Sequence, residues 1–187
     1  MASPQDGGFV TLSTETVWTG RRVSLERGRF GSPDGEEFER EYTRHPGAVG
    51  VIAVDDDERV VLVRQFRGPM GRTILEMPAG TCDVDGEGPE ATARRELAEE
   101  VGLVASRWQE LAPLPVSPGV TDQVTRVYLA TGLESCETER DGPEERAMTL
   151  EVVPLAGVVA MAANGELIDA PTLAGVALAL RALAARR

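Results

Sequence analysis

The chain contains no lysine; all 19 of its basic residues are arginine. That absence excludes Schiff-base chemistry and any lysine nucleophile. Histidine is almost as scarce. The single His45 leaves no Ser-His-Asp relay unless His45 is itself the base, and its place before Pro46, at the start of an expected strand, gives it a structural role. The two cysteines, Cys82 and Cys136, fall in expected loops and make no metal-binding spacing, so free thiols in a reducing cytoplasm are expected. Long apolar runs are missing as well. The stretch from Leu173 to Leu183 is broken by Arg181 and is too short to span a bilayer. No basic segment followed by an apolar one stands near the first residue, so no signal peptide is read and a soluble, cytoplasmic protein is expected.

What is present is acid. The formal net charge is −12 over 187 residues, which argues against generic binding to nucleic acid or to anionic membrane surfaces. An acidic protein can still take a phosphorylated ligand if metal ions supply the positive charge locally. The length suits one domain with an appendage, large enough for a proper core.

Periodicity and turn residues give an order of elements. Residues 1–13 read as a loose polar start. Strands are expected at Val17–Val23, Leu25–Phe30 and Glu36–Tyr42, with a turn at Ser32-Pro33-Asp34-Gly35. Further strands are expected at Val49–Val54, Val60–Arg67 and Ile74–Met77, then at Trp108–Pro113, Val124–Ala130 and Thr149–Val153. A helix is expected over Pro89–Val101, with Pro89 in its first turn and Gly102 as its C-terminal cap. Two more are expected at Leu155–Ala162 and Pro171–Ala185.

The Pro89–Val101 helix carries the most informative segment, Arg95-Glu96-Leu97-Ala98-Glu99-Glu100-Val101-Gly102-Leu103. At about 100° per residue, Glu96, Glu99 and Glu100 fall within a roughly 100° arc. Like charges at i, i+4 weaken a helix by a few tenths of a kcal/mol per pair, at about the scale of the favourable pairs. A hard divalent cation with oxygen ligands would offset that repulsion. A solvated acidic face is the ordinary reading of an isolated cluster of this kind. Ala93, Leu97 and Val101 form an apolar ridge beside the acids, so one face can seat on a sheet while its neighbour points into a cleft.

The surroundings favour the cation. With Glu87 eight residues before Arg95, the segment Glu87–Leu103 resembles the Nudix box, G-x5-E-x7-R-E-(apolar)-x-E-E-x-G-(apolar), and fits it at every specified position. One departure lies upstream: six residues, not five, separate Gly80 from Glu87, and Thr81 occupies the strictly spaced position. This reads as one extra residue in the loop Cys82–Gly86. The competing match of Asp83-Val84-Asp85-Gly86 to a calcium loop lacks the third acidic position and the downstream glutamate. Outside the box, Arg40-Glu41, His45-Pro46-Gly47-Ala48-Val49, Val63–Arg67, Leu75–Gly80 and Ser117-Pro118-Gly119-Val120-Thr121 are similar to the ADP-ribose pyrophosphatase branch, much of which GDP-mannose and other nucleoside-diphosphate-sugar hydrolases share.

The resemblance implies an α/β fold: a Nudix-type α/β/α sandwich with a mixed sheet over residues 46–187, plus a small N-terminal antiparallel β appendage over residues 1–45. It implies hydrolysis of ADP-ribose to AMP and ribose 5-phosphate, with GDP-mannose or broad sugar-nucleotide hydrolysis as the alternative and a non-catalytic nucleotide sensor behind both. Mg²⁺, with Mn²⁺ as a substitute, would be held by Glu96, Glu99, Glu100 and the Ala79 carbonyl. Glu145 is the candidate general base, with Glu144 as the other choice, and Glu99 supports the chemistry. Arg40, Glu41, Arg67, Glu76 and Gly80 are the candidate substrate contacts, while Arg95 is expected to pair internally with Glu87 or a neighbouring acid. A homodimer is expected, with each site built by both chains. Gln123 and Ala147 stand where relatives commonly carry acids.

Overall fold

The computed structural model describes residues 7–186. These divide into two compact units, one made of the residues up to Pro46 together with Pro115–Gln123, the other of Gly47–Leu114 and Val124 onward. The first unit therefore takes in a distant segment besides the expected N-terminal stretch.

In that first unit, β1 (Val10–Thr19), β2 (Ser24–Gly31) and β3 (Glu37–Arg44) form an antiparallel sheet in the order β1-β2-β3. The Ser32–Gly35 turn forms as expected, with Gly35 at φ 89° and its N–H donating to the Ser32 carbonyl at 3.0 Å. The first strand begins at Val10, earlier than the expected loose start allows; residues 1–6 of that expectation lie outside the described residues. The physical reason is the run of Thr and Val, whose branched side chains suit an extended chain even without burial. All ten residues of β1 are exposed, and its register against β2 slips between Thr11 and Ser13 and again between Thr16 and Trp18. The segment 115–123 joins this unit through the Thr43 N–H, which donates to Val120 O at 2.9 Å, and the His45 N–H, which donates to Asp122 Oδ1 at 2.8 Å.

The second unit holds a seven-stranded mixed sheet. Its strands are β4 (Ala48–Val54), β5 (Arg59–Arg67), β6 (Arg72–Glu76), β7 (Ala79–Thr81), β8 (Leu103–Pro115), β9 (Val124–Ser135) and β10 (Thr149–Pro154). The main order is β10-β5-β4-β9-β8, with β6 on β5 and β7 on β4. β4 and β9 run parallel, whereas β4 meets β5 and β7 antiparallel. Four helices accompany the sheet among the described residues: α1 (Pro89–Glu96), α2 (Gly142–Arg146), α3 (Val158–Ala163) and α4 (Ala170–Ala184). The expected helix from Leu155 begins instead as a 3₁₀ turn over Leu155–Gly157 before α3.

Because successive side chains of a strand point to opposite faces, β4 feeds two cores. Val49, Val51 and Ala53 pack with Ala93, Leu97 and Val101, so the apolar ridge of the acid-bearing helix seats on one face. Ile52 and Val54 pack with Leu167, Val176 and Ala179 on the other. Three layers result, as expected. α4 comes close at Gly175, where a Cβ would stand 3.0 Å from Val127 and 3.1 Å from Ile52. No helix among the described residues is long and apolar enough to cross a membrane.

Candidate functional site

Gly88, extended at φ −79° and ψ 157°, leads into Pro89, whose missing N–H costs nothing in the first turn. The helix does not stay α throughout. From Leu97 to Val101 it widens into a π turn, and Gly102 at φ 72° closes it by donating to the Ala98 and Leu97 carbonyls. π turns are rare and are frequent at functional sites. This one holds Glu99 and Glu100.

Arg95 organises the acids. Its guanidinium donates to Glu87 Oε1 at 3.1 Å and Oε2 at 3.1 Å, and its Nη1 reaches both Glu96 Oε1 and Glu99 Oε2 at 2.8 Å. The expected internal pairing is thus present, and it embraces three acids. The bond from Arg95 holds the Glu87 carboxyl below the ordinary range, aided by the Thr92 hydroxyl. Glu96 goes the other way: burial pushes its carboxyl up despite Arg95. Glu100 is the extreme case. It is 3 % exposed, its Oε2 accepts the Ala79 N–H at 3.1 Å, and burial, reinforced by the charge of Glu96, pushes it up to about 8. Among the described residues no three acid, histidine or cysteine side chains stand as a ready metal-ligand set.

Opposite the acids runs β7. It pairs with β4 so that Gly80 faces Val49 and Ala79 faces Gly50. A Cβ on Gly80 would lie 2.0 Å from Glu96 Cδ, so the Glu96 carboxyl rests where any other side chain would be. Gly80, not Thr81, therefore sits against the helix, and the loop Cys82–Gly86 lies beyond the ladder. The approach to β7 is pinned by the Val51 N–H, which donates to Pro78 O at 2.9 Å, and by the Met77 N–H, which donates to the Thr172 hydroxyl at 2.8 Å.

Of the other sequence candidates, Arg67 and Glu145 act electrostatically on this cluster. Arg67 Nε donates to the buried Glu76 Oε1 at 2.7 Å, and burial raises the Glu76 carboxyl more than Arg67 lowers it. The charge of Arg67 also acts on Glu100. Glu145 sits on α2, a short helix that sequence periodicity missed because five residues give no period to read. Its charge is felt at both Glu96 and Glu100, and its Oε2 accepts the Asp141 N–H at 2.8 Å. Glu145 is half-buried where Glu144 is exposed. Arg40 and Glu41 lie in the first unit. Arg40 stands 4.8 Å over the Phe38 ring and lines a concavity of about 590 Å³ with Phe9, Pro33 and Phe38. Glu41 pairs with Arg27 at 3.0 Å.

One residue near the acids had no place among the expected site residues. Arg140 donates from Nε to the Glu100 carbonyl at 2.8 Å and from Nη1 to the Met148 carbonyl at 2.9 Å. Its signal was available: it is a lone cation inside the acid-rich run Glu134–Glu145.

The model of the NUDIX domain matches residues 44–174. The chain is 43% identical over 168 residues to the ADP-ribose pyrophosphatase of Mycobacterium tuberculosis, covering 90% of this chain and 81% of the relative. It is 36% identical over 162 residues to the ADP-ribose pyrophosphatase of Bacillus subtilis, covering 87% of each. Among solved structures, an ADP compounds hydrolase superposes with a TM-score of 0.81 over 95% of both chains at 24% identity, a likeness of fold. With its box helix, its Arg95-centred acids and a NUDIX match spanning most of its length, the chain belongs to the Nudix hydrolase family.

Proposed function

We propose that this protein is a divalent-metal-dependent pyrophosphohydrolase that cleaves ADP-ribose to AMP and ribose 5-phosphate. One observation carries the reading: a helix places Glu96, Glu99 and the buried Glu100 on one face, with Arg95 as the cation bonded to the first two, in a chain 43% identical to an ADP-ribose pyrophosphatase. The donor set fits a hard cation, since every donor is oxygen and burial has stripped Glu96 and Glu100 of solvent that a bound cation would replace. Glu96, Glu99, Glu100 and the Ala79 carbonyl are the proposed ligands, Mg²⁺ the proposed ion and Mn²⁺ its substitute. When bound, such an ion polarises phosphoryl oxygens and neutralises charge on the leaving phosphate.

The remaining chemistry falls to the chain itself. Glu145 takes a proton from the attacking water onto its carboxylate as the water oxygen joins phosphorus and the bond to the bridging oxygen breaks. A positioned base of this kind contributes about 10²–10⁴-fold. Arg67, steadied by Glu76, offers donors to a phosphate oxygen. Gly80 keeps room for the Glu96 carboxyl and for a close substrate approach. Arg40 and Glu41 are proposed to contact the adenine or its ribose. Self-association is part of the same proposal and is supported by β1, whose ten exposed residues include Val17 and Trp18, the latter 58 % exposed. A cytoplasmic location accords with the free thiols of Cys82 and Cys136.

The test is a substrate panel of ADP-ribose, GDP-mannose and other nucleoside-diphosphate sugars, with Mg²⁺ or EDTA and chromatographic detection of the nucleotide released. Mg²⁺-dependent AMP formation from ADP-ribose is expected to be fastest. Preference for GDP-mannose would transfer the assignment to the sugar-nucleotide reading, and binding without turnover would make the protein a sensor.

A further inference from the structure

The segment between β9 and β10 is strapped to the end of the acid-bearing helix at three successive points. The Cys136 N–H donates to the Gly102 carbonyl at 2.8 Å, the Glu139 N–H to the Glu99 carbonyl at 3.2 Å, and Arg140 Nε to the Glu100 carbonyl at 2.8 Å. Carbonyls in the last turn of a helix have no partner inside it, so these three donors complete the turn that holds Glu99 and Glu100. Arg140 differs from the other two because it also looks forward. Its Nη1 donates to the carbonyl of Met148, the buried residue on the far side of α2. One rigid guanidinium, on the residue that opens the loop 141–147, thus joins the acid-bearing turn to the far foot of that loop, and the carboxylate of Glu145 lies back across the loop onto the Asp141 N–H.

We propose that Arg140 is a positioning residue for the hydrolytic reaction: by joining the Glu100 and Met148 carbonyls it fixes the distance between the acid-bearing π turn and Glu145. This rests on the assignment of Glu145 as proton acceptor. Two features separate it from an ordinary surface arginine. Acids flank it in sequence at Glu137, Glu139, Glu144 and Glu145, yet both its bonds go to main-chain carbonyls. The acids Glu134, Glu137 and Glu139 are exposed, while Arg140 is half-buried among the carbonyls it serves. The planar fork matters, because two carbonyls must be met at once from a fixed geometry, which the single ammonium of a lysine does less well. Misplacement of a reacting group by about 1 Å can cost about 10²-fold in rate, and so a link far from the phosphate acts on the chemical step.

The test uses Arg140→Met, Arg140→Lys, Glu145→Gln and the Arg140→Met/Glu145→Gln double variant of the full chain. Turnover of ADP-ribose with Mg²⁺ is measured alongside hydrogen exchange of the 136–148 segment without substrate. For Arg140→Met the expected result is a kcat loss of about 10–100-fold with KM within about threefold, faster exchange confined to 141–147, and a midway kcat for Arg140→Lys. In the double variant the losses should not multiply, since Glu145 is the group Arg140 positions. Unchanged exchange, unchanged kcat, or losses that multiply fully would each overturn the proposal. Should Arg140→Met not fold, an Arg140→Lys enzyme with the parent's kcat and exchange would overturn it equally. A Glu145→Gln enzyme as fast as the parent removes the base assignment itself, whereas a slow Glu145→Gln with an untouched Arg140→Met leaves that assignment standing and removes only Arg140.

Discussion

The N-terminal sheet and the acid-bearing helix handle charge in opposite ways. Across β2 and β3, cations and anions meet one to one in solvent: Arg27 with Glu41 at 3.0 Å and Arg29 with Glu37 at 2.5 Å. Exposed pairs of this kind contribute little to folding, because water screens them and two long side chains must be held still. At the helix, Arg95 serves Glu87, Glu96 and Glu99, and Glu100 is buried with a single main-chain donor from Ala79. Balanced charge decorates a surface. A buried acid held by one main-chain donor is a cost the fold carries, and the proposed cation would offset it.

The sharpest way to break this contrast is Glu100→Gln. Activity should fall by at least about 10²-fold, since a charged ligand is lost from the proposed metal set. Folding in EDTA should not suffer, because glutamine can still accept the Ala79 N–H without the buried charge. Near-normal turnover would refute the metal assignment. Glu145→Gln should lower kcat by about 10²-fold with little change in KM, as initial-rate kinetics will show. Gly80→Ala comes next: its methyl must displace the Glu96 carboxyl, so Mn²⁺ affinity and kcat should each drop by about 10-fold or more. The cost in folding should be small, since a side-chain tip can move aside; a melt far below the parent's would mean the backbone moved instead.

A smaller effect concerns pH. Glu100 titrates at about 8 in the fold against 4.5 unperturbed. Between those values the folded state binds more protons than the unfolded one. Its contribution is therefore fully present below about pH 4.5 and is lost as pH rises through about 8, with a total on the order of a few kcal/mol. Melting curves from pH 5 to 9 in EDTA should show that decline, and Mg²⁺ or the Glu100→Gln substitution should flatten it. The smallest effect is expected in the other region. Removing the exposed Arg29–Glu37 pair by Glu37→Gln should leave the melting temperature essentially unmoved, and a clear drop would erase the distinction between the two regions.

The helix was legible because its signals are local and redundant: Pro89 starts it, Gly102 ends it, and Ala93, Leu97 and Val101 give a ridge. Strands β4 and β5 were legible as apolar runs, since both faces are covered. That Arg95 pairs internally, with Glu87 or a neighbouring acid, was implied by the family resemblance, and the structure has it bonded to Glu87, Glu96 and Glu99. Other features depend on distance. The π turn differs from an α turn by one residue's hydrogen bond, which no side-chain pattern marks. β1 starts at Val10, well before the Val17 start that the pattern suggested, in a stretch whose polar side chains look like loop until a neighbouring strand offers its backbone. Gly80 is the clearest lesson at the site. Strict counting back from Glu87 points to Thr81, but one extra residue in the loop Cys82–Gly86 leaves the place to Gly80, and the ladder with β4 sets Gly80 against Glu96.

Thr172 ties α4 to the peptide between β6 and β7. Its hydroxyl accepts from the Met77 N–H at 2.8 Å while donating to Asp169 Oδ2 at 2.6 Å, so the first turn of the last helix fastens the peptide that leads to Ala79. The C-terminal helix is therefore no dispensable tail. Shortening the chain back past residue 169 would free the Met77 N–H and open the core that Val176 and Ala179 share with Ile52, so the approach to Ala79 and the fold would fail together.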